Sequence, residues 1–153
     1  MAIFSDVCSQ CGGTPDLSYG QGGDNLGLRW SATLRCRCGA AMEADGRGLP
    51  PAAVRRELFE PDGIHELVIS DATLSTLREL QRLFRLQIRE VAPLRARLPG
   101  AVVFGTVYEI RWLAAQLSAR GVPAILVALD RAVVSAALDL AAIIDESWSP
   151  GMP

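Results

Sequence analysis

Apolar and polar positions change their rhythm near residue 64. Downstream, short apolar runs alternate with segments of helical period, the pattern of alternating strands and helices. Ile64 to Ile69 reads as a strand with Leu67, Val68 and Ile69 at its centre. Ser70-Asp71-Ala72-Thr73 offers N-caps to a helix that places Leu74, Leu77, Leu80 and Phe84 on one face. A break near Arg85-Leu86 separates it from a second helix over about residues 87–97, with Pro93 near its first turn or kinking it. Leu98-Pro99-Gly100 ends that helix, and Ala101 to Phe104 is a short strand. Thr106 caps a third helix carrying Val107, Ile110, Leu113 and Leu117, closed by Gly121. Val122 to Leu129 reads as a buried strand. Asp130 caps a last helix, Arg131 to about Glu146, that is apolar nearly all round and so predicts burial, under the sheet or in a dimer or partner interface. Trp148 just beyond it suits an interface anchor or a plug for the core.

The first 63 residues have a different texture. Leu28 to Cys36 alternates in part and reads as a strand, with Ala40 to Glu43 as its return. Tyr19 to Gly27 is rich in glycine and reads as a flexible loop, and Asp45 to Pro51 as a turn and linker. Pro51 starts a short helix over Ala52 to Phe59, stopped by Pro61-Asp62-Gly63. The four cysteines fall here, as Cys8-x-x-Cys11 and Cys36-x-Cys38. Each pair can grip one ion from a single turn, and together they supply the four soft ligands of a closed tetrahedral site, so a structural zinc ion (Zn2+) in a zinc ribbon is expected. Cross-paired disulfides and a redox C-x-x-C are the alternatives. The expected organisation is a ribbon over 1–48, a linker with a short helix over 49–63, an α+β unit over 64–129, and a helix with its tail over 130–153.

Composition sharpens this. The basic residues are all arginine, without a lysine, and net charge is −2. Residues 71–120 hold eight arginines against four acids, while residues 1–70 hold six against nine. With residues 1–70 net acidic, the ribbon lacks the broad basic footprint that binding a nucleic-acid backbone calls for, and the basic island lies in the middle of the chain. Arg78, Arg82, Arg85, Arg89 and Arg95 recur across the two central helices as a surface for an acidic partner. Ala132 to Ile144 is too short to span a bilayer and contains Asp139. The start of the chain has no basic, apolar leader, which points to a cytoplasmic protein. His65 is the lone histidine, has no nucleophile beside it in sequence, and with the thiols assigned to metal no catalytic constellation emerges.

Residues 64–129 resemble the C-terminal domain of the bacterial ribosomal stalk protein. The resemblance is carried by Leu86-Gln87-Ile88-Arg89-Glu90-Val91, by Leu98-Pro99-Gly100, by Val102-Val103-Phe104-Gly105-Thr106, and by Glu109 to Leu117, Gly121 and Ala124 to Val127. It implies a β-α-α-β-α-β domain whose helical hairpin docks protein factors. Arg85, Gln87 and Arg89 replace two glycines and a lysine of the family's pattern, and Pro93 intrudes after Ala92. The expectation is a non-enzymatic protein-binding module, such as a bacterial immunity protein occluding a toxin or an adaptor. The alternative is a ribosome- or nucleic-acid-associated zinc-ribbon protein.

Overall fold

A computed structural model describes residues 3–130 and 137–144, which form a mixed α+β fold with two sheets and five helices. The first sheet is an antiparallel meander of β1 (Asp16–Asp24), β2 (Gly27–Arg35) and β3 (Ala41–Arg47). The expected loop at Tyr19–Gly27 is corrected: Tyr19 to Asp24 belongs to β1, and the turn shrinks to Asn25-Leu26, where the Leu26 amide donates to Asp24 Oδ1 at 2.7 Å. Asp45 to Arg47, expected as a turn, likewise extends β3. Two of the strand glycines, Gly23 and Gly46, lie under aromatic rings. A Cβ on Gly23 would lie 2.5 Å from the Trp112 ring, and one on Gly46 would lie 2.7 Å from the Trp30 indole nitrogen. Ladder bonds and covering aromatic rings offset the poor strand propensity of glycine.

Helix α1 (Ala52–Asp62) follows, running past Pro61 and ending at Gly63, whose positive φ of 72° lets its amide reach Phe59 O at 2.8 Å. The second sheet has the order β6-β4-β5-β7, from β4 (His65–Ile69), β5 (Gly100–Gly105), β6 (Ala124–Ala128) and β7 (Leu138–Asp139). β4 lies antiparallel to both β5 and β6, and β7 joins β5 in parallel. Between β4 and β5 run α2 (Leu74–Phe84) and α3 (Ile88–Arg95); α4 (Val107–Ala119) connects β5 to β6. Arg85 adopts the left-handed conformation (φ 55°), and the Leu86 amide reaches back to Gln81 O at 3.0 Å, so α2 closes where the hydrophobic period broke.

The expected helix over 131–146 is corrected where it can be seen. Leu138-Asp139 is a strand, and only Leu140–Ile143 (α5) is helical. Residues 131–136 and 145–153, including Trp148, lie outside the described residues. Asp139 decides the local outcome. Its carboxylate accepts from the Ala141 amide at 3.0 Å, capping α5, and takes Arg55 Nη1 at 2.7 Å. A mid-helix aspartate favours such alternative bonds, and the sheet edge satisfies the apolar side chains around it.

One core unites Leu67, Ile69, Val102, Leu80, Ile110, Leu113 and Leu117 with Leu28 and Leu49, because α4 packs on both sheets. A smaller cluster joins Phe4, Ala32 and Leu34 to Val54 and Leu58 of α1. No helix among the described residues is long and apolar enough to cross a membrane.

Candidate metal centre, polar hub and helical groove

Pairing Asp16 with Arg35 brings the two cysteine segments side by side, one just before β1 and one just after β2. Each segment is a tight knuckle. The Gly12 amide donates to Cys8 O at 2.8 Å and the Gly39 amide to Cys36 O at 2.9 Å, with positive φ at both glycines (71° and 94°). The four Sγ atoms lie within 4.8 Å of one another, with Cys8 to Cys38 at 3.7 Å and Cys11 to Cys36 at 3.5 Å, and no disulfide joins them. Four sulfurs bound to one tetrahedral ion would stand about 3.8 Å apart. The thiols of Cys8, Cys11, Cys36 and Cys38 thus form a site that could hold a metal ion.

Electrostatics favours a cation there. The amides of Gln10 and Cys11 bring the Cys8 thiol down to about 6, against the effect of burial. At Cys11 the Gly13 amide (3.4 Å) acts in the same sense, but the thiols of Cys36, Cys38 and Cys8, together with burial, push it up to about 12. Thiols this close resist sharing negative charge, and a bound cation would relieve that repulsion.

A second cluster is a buried polar hub that sequence reasoning missed. Glu109 is fully buried, and Arg55 Nη2 and Nε donate to its carboxylate at 2.9 and 3.0 Å. Gln21 Nε2 adds a bond at 3.2 Å, and the Thr106 amide another at 3.0 Å. Thr106 Oγ1 caps α4 by accepting from the Glu109 amide, and donates to Gln21 Oε1. A Cβ on Gly105 would collide with Glu109 Oε2, so glycine is required beneath the carboxylate. Burial alone would lower Arg55, but Glu109 and Asp139 outweigh it and hold the guanidinium above its ordinary value. The hub thereby ties β1, α1, α4 and β7 together, and its chemistry is that of a structural clamp whose donors and acceptors are engaged. The visible signal was the Thr106-x-x-Glu109 capping box; burial of that glutamate depends on Arg55, far away in sequence.

The arginines separate. Arg78 and Arg95 line one groove between α2 and α3, about 250 Å³, with Leu74, Leu77, Ile88 and Val91. Ile88 is 84% exposed and Leu74 71%. Arg82 pairs with Glu79 at 2.8 Å, while Arg85 and Arg89 sit exposed around the α2–α3 corner. His65 is buried at the start of β4, with Nδ1 unbonded.

These features define a small α+β protein with a four-thiol cluster and an apolar groove flanked by arginines. Comparison of the chain with known protein families, curated proteins and solved structures finds no match.

Proposed function

We propose that the chain is a non-enzymatic protein-binding module, of the kind that serves as a bacterial immunity or adaptor protein, stapled by a structural zinc ion in a ribbon. The observation that carries this reading is the α2–α3 groove. Two large apolar side chains stand in solvent there, and Arg78 and Arg95 flank them with no acid in the lining. Exposed apolar surface rimmed by one sign of charge suits a partner segment that is amphipathic and acidic. The strand-helix-helix-strand-helix-strand order of β4 to β6 supports a stalk-C-terminal-like scaffold that presents this hairpin. Zinc is favoured by the closed set of four thiols, since such a site is structural and leaves no open position for substrate. The non-enzymatic reading rests on the side chains available: the four thiols make up the proposed metal site, and His65 is buried.

The test is affinity purification from the native host with the wild-type chain and with an Ile88→Asp/Arg78→Glu variant. Both substituted side chains are exposed, so circular dichroism should be unchanged. One protein retained stoichiometrically by the wild type and lost from the variant is the expected result. Retention of RNA or DNA, released steeply as salt rises, would instead favour a nucleic-acid role. Metal analysis of reduced protein should find close to one zinc per chain.

A further inference from the structure

The open face of the first sheet carries a second site, independent of the groove. Strand register places Arg29 directly opposite Arg47, and Ser31 directly opposite Asp45. On the other side of β2 the same two rows end in Gly22 and Gly20. The rows enclose a shallow dish of about 540 Å³. Its floor beside β2 has no side chains, and a Cβ on Gly20 would lie only 3.0 Å from Ser31 Oγ, so the hydroxyl leans over that floor.

Two guanidinium groups facing each other across a ladder repel unless an anion lies between them. Arg29 holds Asp24 in a pair that is half exposed on both sides, the weak kind that a better anion can displace. The side chains of Arg47 and Asp45 make no hydrogen bond or ion pair among the described residues. The dish thus offers two forked donors at one end, and a hydroxyl with an unengaged carboxylate at the other. Arginine forks match phosphate oxygens, whereas a carboxylate rejects phosphate and accepts from hydroxyl groups.

We propose that this dish binds a phosphate ester carrying free hydroxyls, that is, a sugar phosphate, with the phosphate on Arg29 and Arg47 and a sugar hydroxyl on Asp45. The full-length chain, loaded with metal, would be titrated by NMR with ribose 5-phosphate, inorganic phosphate and ribose at constant ionic strength. Ribose 5-phosphate should give saturable shifts at the amides of Gly20, Gly22, Ser31 and Gly46. Arg47→Gln should weaken it by roughly tenfold or more. Asp45→Asn should move the ligands in opposite directions, weakening ribose 5-phosphate and strengthening inorganic phosphate. A short single-stranded RNA shifting the same amides at lower concentration would mark a nucleic-acid chain as the source of the sugar phosphate. The proposal is overturned if ribose 5-phosphate leaves these amides unmoved, if Arg47→Gln binds as well as wild type, or if Asp45→Asn shifts both ligands alike. Loss of partner binding by the Ile88→Asp/Arg78→Glu variant would not bear on it.

Discussion

Glu109 is the side chain on which most depends, because a fully buried carboxylate persists only with its bonds made. Arg55 supplies three of them and is itself nearly buried. Glu109→Ala leaves that guanidinium in the interior without its main partner, and should cost about 3–5 kcal/mol of stability in urea unfolding. The double replacement Arg55→Met/Glu109→Leu removes both charges and should be less harmful than Glu109→Ala alone, since the pair's desolvation cost disappears with it. Asp71 is the half-buried counterpart. Its carboxylate accepts from Thr76 Oγ1 and from the amide and hydroxyl of Thr73, which hold it below its usual value. The folded state therefore favours the ionised form. That contribution is complete above the unfolded value, about 3.9, and is lost as pH falls through the lower folded value. Asp71→Asn should accordingly flatten the stability profile in that acid window, measured by unfolding at stepped pH, with little change in slope near neutrality.

Helix ends show how one device differs with its surroundings. Thr73 and Thr106 each accept from the amide three residues on, Thr76 at one helix and Glu109 at the other. Thr73→Ala should cost about 1 kcal/mol. Thr106→Ala should cost more, by about 1–3 kcal/mol, because it also leaves the buried Gln21 oxygen without its donor. Thermal unfolding of the two variants side by side checks this ordering. Strand β1 carries a comparable dependence. Its glycines look like a loop in isolation, yet Gly23 lies under the Trp112 ring, whose indole N–H donates to Asp24 O at 3.0 Å. Gly23→Val would have to displace that ring and should destabilise the docking of β1 on α4.

The thiol cluster and the hub hold opposite ends of the first sheet. The cysteine knuckles lie beyond Asp16 and Arg35, whereas Gln21, Asp24 and Leu28 meet α4 and the main core at the other end. Removing the proposed zinc with a chelator should therefore loosen residues 8–13 and 36–40 first. Hydrogen exchange read by mass spectrometry should rise there while β4 and β5 stay protected. Acidification should release the metal as protons compete for the sulfurs, with protons taken up in the process. A colorimetric zinc assay against pH reads the step directly.

Cysteine spacing by itself announced a four-ligand cluster, because C-x-x-C and C-x-C are local geometry and glycines flank both turns. The caps at Thr73 and Thr106, the break at Arg85 and the period of α2 and α4 were equally legible, since each is decided within one or two helical turns. The α+β class followed from that alternation. What the sequence could not reveal was which polar residues would be buried together. Glu109 meets Arg55 and Gln21 across 54 and 88 positions of chain, and only packing sets that distance. The same limit explains the corrections to the Tyr19–Gly27 loop and to the last helix. Gly20 and Gly23 sit in a strand where Ser31 and Trp112 fill the space their side chains would occupy. Leu138-Asp139 left the helix because Arg55 and the free edge of β5 compete for them. Local propensity chooses among local conformations, but burial of a charge or an aromatic ring is settled by residues that meet only once the chain has folded.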